Sequence, residues 1–328
     1  MRDLVTIMKQ LLKKILPPPV ASFNREVERI LTAIQEDHKL YHQDLSKICG
    51  ENTNLQREIV ALKQELLDLR VSEKQLTEEM RLRANQTSRT LEESITAVNT
   101  LLKDVKNGQS EVLWGEIFRD TIVNSVWLKD KSFSPGRWAA GYPFLYALYR
   151  VLDEARPKQI LELGLGQTTR MTGQYASAFE DVQHIVIEHD PEWIAFFKRS
   201  FSFGKHTTLL QLPLEESAYL EDNKVLSYKG FTDALQGKSF DLISIDGPFG
   251  GNAKIYSRVD VLRLFPSCLM DSFAVLLDDF DRQGERRTMA KMELNLKNHE
   301  IAYHVGRFIG QKETRILTSA NWKFLCSM

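Results

Sequence analysis

Cysteine is scarce in this chain: Cys49, Cys268 and Cys326 are the only three in 328 residues, and they lie far apart. They offer neither a disulfide framework nor ligand-spaced metal pairs, which points to a reducing compartment. Long apolar runs are missing too. No window reaches the ~18 uninterrupted apolar residues that a membrane-spanning helix needs. Neither sign of charge dominates, since 43 Lys and Arg against 44 Asp and Glu leave a formal net charge of −1. That excludes a globally basic nucleic-acid binder and an acidic solvating chain. The length suggests about two structural units.

Proline and glycine are unevenly spread. Between Ala21 and Lys106 there is no proline, and Gly50 is the single glycine. Tyr41, Leu45, Ile48, Leu55, Ile59, Leu62, Leu66, Leu69, Leu76 and Met80 follow one another at helical spacing, interrupted by Asn52 and Glu73. With Leu45 at heptad position a, Ile59 also falls at a, and Leu55, Leu62, Leu69 and Leu76 fall at d. Ile at a with Leu at d favours parallel dimers, and an Asn at a, here Asn52, fixes register and strand number. The spacing predicts a coiled coil over 21–106, on the order of 120 Å long at about 1.5 Å per residue. A helical hairpin folded back on the later residues is the alternative. Residues 1–20 form a separate stretch, with Leu4, Met8, Leu11 and Ile15 on one helical stripe beside Arg2, Lys9, Lys13 and Lys14, stopped by Pro17, Pro18 and Pro19. Such a basic amphipathic helix, residues 1–16, suits peripheral contact with an anionic membrane surface, or packing on protein.

Residues 107–328 hold most of the glycines and are long enough for one well-buried domain. Helical, aromatic-rich material around Trp114, Phe118 and Trp127 comes first, then an apolar helix over 142–152. Near-continuous apolar strands follow at 160–163, 184–188, 207–212, 240–245 and 273–278. Helices are expected between them at 169–179, 191–201, 256–270 and 284–296. The alternation predicts an α/β fold with a mostly parallel sheet buried on both faces. A strand–turn–strand pattern at 301–308 and 315–318 adds an antiparallel hairpin at the edge.

In open α/β sheets ligands bind beyond the carboxyl ends of the strands. Gly164 and Gly166 follow the first strand, Glu188 ends the second, Asp246 follows the fourth, and Asp278 and Asp279 follow the fifth. A glycine after a strand lets the backbone approach a ligand, and an acid about twenty residues on accepts hydrogen bonds from a ribose diol. Together they indicate a nucleoside-type ligand, with a plain strand–turn–helix corner as the bland alternative. Thr169 stands where a dinucleotide fingerprint has its third glycine, which counts against NAD or FAD.

With these motifs in place, residues 158–318 resemble the class I S-adenosylmethionine-dependent methyltransferases. The resemblance rests on Glu162-Leu-Gly164-Leu-Gly166, on Glu188, and on the antiparallel last strand. It implies a Rossmann-like, seven-stranded sheet and S-adenosyl-L-methionine as cofactor. Gly164 and Gly166 would pass the methionine moiety and Glu188 would hold the ribose. Glu162 would orient the loop or meet the cofactor amino group, and Thr168 joins the candidate cofactor set. Residues near Leu214 and Glu215 would edge the adenine.

Asp246, Asp278 and Asp279 form a second constellation. Carboxylates at adjacent strand ends can converge on a hard divalent cation. Their spacing resembles the metal-dependent O-methyltransferases of the catechol and antibiotic-sugar type, which implies Mg or Mn lowering the pKa of an acceptor hydroxyl. The pattern departs from that family at Pro248 and Phe249. Asp246-Gly-Pro instead resembles polysaccharide-modifying methyltransferases. The general base is left open among Asp246, Asp279 and Lys254. Without metal, the carboxylates can take the acceptor proton themselves, and Asp278-Asp279 could equally serve as a helix cap paired with Arg282 or Arg286. Arg282, Arg286 and Arg287 could read an anionic group on the acceptor, and Trp138 and Tyr142 could close over the site.

The expectation is therefore a cytoplasmic, dimeric O-methyltransferase, peripheral on the inner face of the membrane, acting on a sugar in a glycan or glycolipid precursor. Two alternatives stand beside it. One is a small-molecule O-methyltransferase; the other is a coiled-coil scaffold or length-setting protein whose domain does not catalyse.

Overall fold

The computed structural model describes residues 6–8, 10, 11, 14, 21–136, 139–251, 253 and 255–327. Most of the basic stretch at 1–19, Trp138 and Lys254 lie outside the described residues, and so do the expectations placed on them. Two compact units divide the chain, Met1–Ser94 and Ile95–Met328. No helix among the described residues is long and apolar enough to cross a membrane.

A single helix, α1, runs over Ala21–Ile122. No break interrupts it, so the helix itself contains no hairpin turn. Within the first unit the heptad residues stay exposed, from 39% at Leu45 to 70% at Leu69. The ion pairs on this helix, such as Glu79–Arg83 at 2.6 Å, are solvent-exposed i,i+3 and i,i+4 contacts, worth only tenths of a kcal/mol each.

The last turns of α1 behave differently. Trp114, Phe118 and Ile122 are buried in the core of the second unit. The Trp114 indole donates to the Ile309 carbonyl at 2.8 Å. The Glu111 carboxylate accepts from the backbone N–H groups of Tyr142 (2.6 Å) and Gln311 (2.8 Å), tying α1 to the start of the next helix and to a hairpin turn.

After α2 (Tyr142–Arg150), which ends in a π turn, the sheet begins. Its strands are β1 (Gln159–Leu163), β2 (Gln183–Glu188), β3 (Thr207–Gln211), β6 (Phe240–Ile245), β7 (Leu269–Leu277), β8 (Tyr303–Ile309) and β9 (Glu313–Ser319). The spatial order is β3-β2-β1-β6-β7-β9-β8. β9 alone runs against its neighbours, antiparallel to both β7 and β8. This is the Rossmann-like, mostly parallel seven-stranded sheet with an antiparallel last strand that the sequence predicts. Side chains alternate between its faces, as the two-residue strand period requires. Ile160, Leu242, Ala274 and Ile316 join the core under α1, α2 and α3 (Gln167–Ala178). Leu161, Ile243, Val275 and Leu317 join the core on the other face, under α6 (Gln283–Asn298). α4 (Pro191–Ser200), whose Asp190 side chain caps its first turn, completes the crossover from β2 to β3.

Two elements differ from expectation. A two-stranded hairpin, β4 (Leu214–Tyr219) with β5 (Asp222–Tyr228), fills a span with no strand prediction, and a short α5 (Phe231–Ala234) follows it. The helix expected over 256–270 is absent: the segment is irregular backbone and turns with one 3-10 stretch at Asp260–Arg263, and its last two residues already belong to β7. Pro266 removes a backbone donor, Arg258 adopts a left-handed φ of 53°, and the Asp260 carboxylate turns inward to the Tyr228 N–H at 2.7 Å. Its apolar residues still reach the core.

Phe118 is only 3% exposed. Phe118→Ala is expected to cost about 3–5 kcal/mol of unfolding free energy, the usual loss for a buried aromatic, measured by urea unfolding. A change under ~0.5 kcal/mol would show that the end of α1 is not part of this domain.

Candidate functional site

β1 lies between β2 and β6, so the connections leaving it and those leaving β6 run to opposite halves of the sheet. This switch point is where open α/β sheets leave a crevice. Ladder bonds carry each strand to its end: Gly164 N–H donates to the Ile187 carbonyl (2.9 Å), Asp246 N–H to Leu163 (3.0 Å) and Asp278 N–H to Ile245 (3.1 Å). The loops after β1 and β6 then touch backbone to backbone. A Cβ on Gly164, whose φ is +97°, would lie 3.0 Å from the Gly247 nitrogen, and one on Gly247 would lie 2.9 Å from the Gly164 Cα.

Beneath this crossing Glu162 is fully buried. Thr168 donates its hydroxyl to Oε1, Thr169 donates to the same oxygen at 2.9 Å, and a ring nitrogen of the buried His184 meets Oε2 at 2.9 Å. Its Oε1 thus holds the two threonines that open α3 and its Oε2 meets His184 of β2, and the Thr168 side chain faces this network. Gly166 caps α3, with its N–H on the Thr169 hydroxyl at 2.9 Å.

The cleft above holds about 450 Å³. Gly164, Glu188 and Asp246 line it as expected, with Trp193, Tyr228, Phe249, Arg258, Asp279, Arg282 and Lys312. Glu188 is held by backbone donors: Leu165 N–H on Oε2 at 3.0 Å, and those of His189 (2.6 Å) and Asp190 (3.0 Å) on Oε1. The Trp193 indole donates to the Leu165 carbonyl at 2.7 Å, pinning the glycine loop from the other side. Tyr228, at the end of β5, is 3% exposed. Among the described residues its hydroxyl has no hydrogen-bond partner. A buried hydroxyl left so is costly, and Tyr228 lines the cleft.

Asp246, Asp278 and Asp279 come together as predicted, each with an oxygen within 4.8 Å of the others. Burial, reinforced by the Asp278 carboxylate, pushes the Asp246 pKa up to about 8. Burial also raises Asp278. Asp279 goes the other way: burial would raise it, but Arg258, Lys312 and Arg282 outweigh burial and hold it below the usual range.

A divalent cation does not fit this arrangement. Asp279 Oδ2 lies 2.8 Å from both Arg258 and Arg282, and its Oδ1 lies 3.2 Å from Lys312. Asp278 accepts from the Thr314 hydroxyl at 3.1 Å and faces Lys312 at 3.4 Å. Asp246 has Arg258 at 3.5 Å. A bound metal would have to displace protein cations from its own ligands. Neither Arg258 nor Lys312 was marked by the sequence, because Arg258 sits in the supposed helix over 256–270 and Lys312 in a hairpin turn. Of the three arginines proposed to read the acceptor, Arg282 lines the cleft, while Arg286 and Arg287 are exposed outside it. Tyr142 lies in a separate groove against Phe118.

No family model and no curated relative matches the chain. Solved structures do. An O-methyltransferase from Bacillus cereus in complex with SAH is 12% identical over 68% of this chain and 97% of its own, with a TM-score of 0.38. The SAH-bound methyltransferase PaMTH1 of Podospora anserina is 16% identical over 68% and 95%, with a TM-score of 0.35. The O-methyltransferase TomG of Streptomyces achromogenes, in complex with SAM, is 14% identical over 54% and 79%, also at 0.35. At these scores the cleft's own residues must carry its assignment.

The two loop glycines separate fold from binding. Gly164→Ala meets backbone at a positive φ and should lose more than about 1 kcal/mol of stability. Gly166→Ala finds open space and should unfold in urea like wild type. Equal stability of both variants would contradict the loop crossing.

Proposed function

We propose that the Ile95–Met328 unit is an S-adenosylmethionine-dependent O-methyltransferase whose acceptor is a sugar hydroxyl of a glycan or glycolipid precursor. The observation that carries this is one cleft lined by both Glu188, with its carboxylate braced by three backbone donors, and Asp246, at the mouth of the next strand but one. Glu188 accepts the two ribose hydroxyls, the Gly164 backbone lets the methionine portion pass close, and the Tyr228 hydroxyl supplies one more polar contact. When bound, the cofactor supplies a methyl group made electrophilic by its sulfonium charge.

Asp246 is the base. Its side chain keeps 18% exposure, whereas Asp278 and Asp279 are almost wholly buried and paired. A carboxylate with a pKa near the working pH is well matched to taking a hydroxyl proton. As the acceptor oxygen attacks the methyl carbon, its proton passes to Asp246 and the carbon–sulfur bond breaks. Holding oxygen, carbon and sulfur in line supplies much of the rate. The sugar reading is supported by two aromatics at the rim, Phe249 and Trp193, 44% and 41% exposed, and by Asp246-Gly-Pro. The cysteines are all free, in keeping with the cytoplasm.

Calorimetry with S-adenosylmethionine, followed by labelled-methyl transfer into sugar nucleotides and lipid-linked glycans, tests this reading. Glu188→Gln should weaken cofactor binding at least ~10-fold, since hydrogen bonds to a charged group contribute about 1.5–3 kcal/mol. Asp246→Asn should keep binding and lose about 10²–10⁴ in turnover. Because the raised pKa favours the neutral acid and a base must be ionised, wild-type turnover should climb as pH rises through about 8; a flat profile over pH 7–9 would remove Asp246 as base. Binding without transfer to any sugar would turn the reading toward a small-molecule acceptor. No binding would leave a non-catalytic module on a coiled-coil scaffold.

We further propose that the first unit self-associates as a parallel dimer. The exposed a and d residues, with Asn52 among them, have the pattern of a seam that must be covered. Sedimentation of the full chain should give a dimer, and Leu62→Asp with Leu69→Asp a monomer. A wild-type monomer at micromolar concentration would refute the dimer.

A further inference from the structure

Oxygen-ligated cations bind at about 2.0–2.6 Å from each donor atom. Of the six carboxylate oxygens of Asp246, Asp278 and Asp279, five already face a polar or cationic partner. Lys312 stands in the middle of this arrangement, 3.4 Å from Asp278 and 3.2 Å from Asp279. It is not a loose surface lysine. Its side chain is 18% exposed, and the ammonium also donates to the Ala139 carbonyl at 3.1 Å. It belongs to the β8–β9 turn, whose ends are locked by Glu111 on Gln311 N–H and by Phe280 N–H on the Glu313 carbonyl at 2.8 Å.

Arg258 also joins the cluster, 2.8 Å from Asp279 and 3.5 Å from Asp246, with a side chain only 2% exposed. Behind it, the fully buried Glu285 faces Arg258 at 3.8 Å and Arg282 at 3.7 Å. The formal balance of this group is three cations against four acids. A divalent ion between the aspartates would lie within a few ångströms of the Lys312 ammonium. Like charges repel strongly where water is scarce.

We propose that the Lys312 ammonium takes the place of a divalent cation in this cluster, holding the carboxylates together and facing the acceptor oxygen, so that the site excludes metal. The role at the acceptor rests on the O-methyltransferase reading; the exclusion of metal does not. In that role Lys312 is a catalytic residue, since its ammonium touches the acceptor oxygen. It stays protonated throughout and transfers nothing: the carbon–oxygen bond forms, the carbon–sulfur bond breaks, and the acceptor proton goes to Asp246. An ammonium donates a hydrogen bond to a developing oxyanion but acidifies a hydroxyl far less than a metal does. This accounts for a neighbouring carboxylate tuned as base.

The test is titration of the full chain with Mn2+ alone, followed by electron paramagnetic resonance. Wild type and Lys312→Arg should bind no stoichiometric Mn2+ at sub-millimolar concentration. Lys312→Gln, which removes the charge, should gain one site per chain, at least ~10-fold tighter than any wild-type binding, and Asp278→Asn added to it should abolish that site. Wild-type binding of one Mn2+ per chain, lost in Asp278→Asn, would overturn the proposal. So would a folded Lys312→Gln that binds none. If Lys312→Gln does not fold, wild type decides: one-site binding overturns the proposal, and no binding with transfer intact after chelation supports it. Failure of S-adenosylmethionine to bind would sink the methyltransferase reading and leave the manganese result standing.

Discussion

The contact on which the site depends is the backbone crossing of Gly164 and Gly247. Neither position has room for a Cβ beside the other. Because β1 and β6 pair directly, their outgoing loops must meet at the switch point of the sheet. Only side-chain-free backbone lets them meet without prising the strands apart. Once they do, Glu188 from β2 and Asp246 from β6 open onto a single cleft. The buried Glu162 network, with Thr168, Thr169 and His184, supports the first of the two loops from below.

Electrostatics divide the acids of this cleft into three kinds. Glu188 is stabilised by peptide N–H groups, which suits an acceptor of hydroxyl hydrogen bonds. Asp278 and Asp279 are tied to Lys312, Arg258 and Arg282, and such buried pairs depend on every partner being present. Asp246 is the least satisfied, with its guanidinium neighbour at 3.5 Å and a carboxylate beside it. The same crowding that keeps two aspartates structural leaves the third able to change its protonation state near neutral pH.

Much of this was legible in the sequence, because the strand period and the placement of unusual residues at strand ends are local signals. Gly164, Glu188, Asp246, Asp278 and Asp279 each follow or end an apolar run, and each lies where that placement implies. The misreadings have physical causes. Val259, Leu262 and Phe265 repeat at three-residue spacing like a helix face, yet they reach the core from turns, since Pro266 and the inward-turned Asp260 prevent a continuous helix. The β4–β5 hairpin is short and half-exposed, so its hydrophobic pattern is faint. Lys312 and Arg258 reach the carboxylates only through tertiary folding, from a hairpin turn and a left-handed bend. No spacing rule connects Lys312 to Asp279 across a helix and a strand. The heptad pattern predicts α1, but its last turns are fixed by the sheet they pack on.

The central claim is that this cleft receives a nucleoside-bearing methyl donor with its ribose on Glu188 and its sulfur toward Asp246. A crystal structure with S-adenosylhomocysteine bound tests it most directly. The account predicts both ribose hydroxyls within hydrogen-bond distance of the Glu188 carboxylate, the amino-acid end beside Gly164, and the sulfur facing Asp246 across the cleft. A ligand bound elsewhere, or bound here with its ribose away from Glu188, would contradict it.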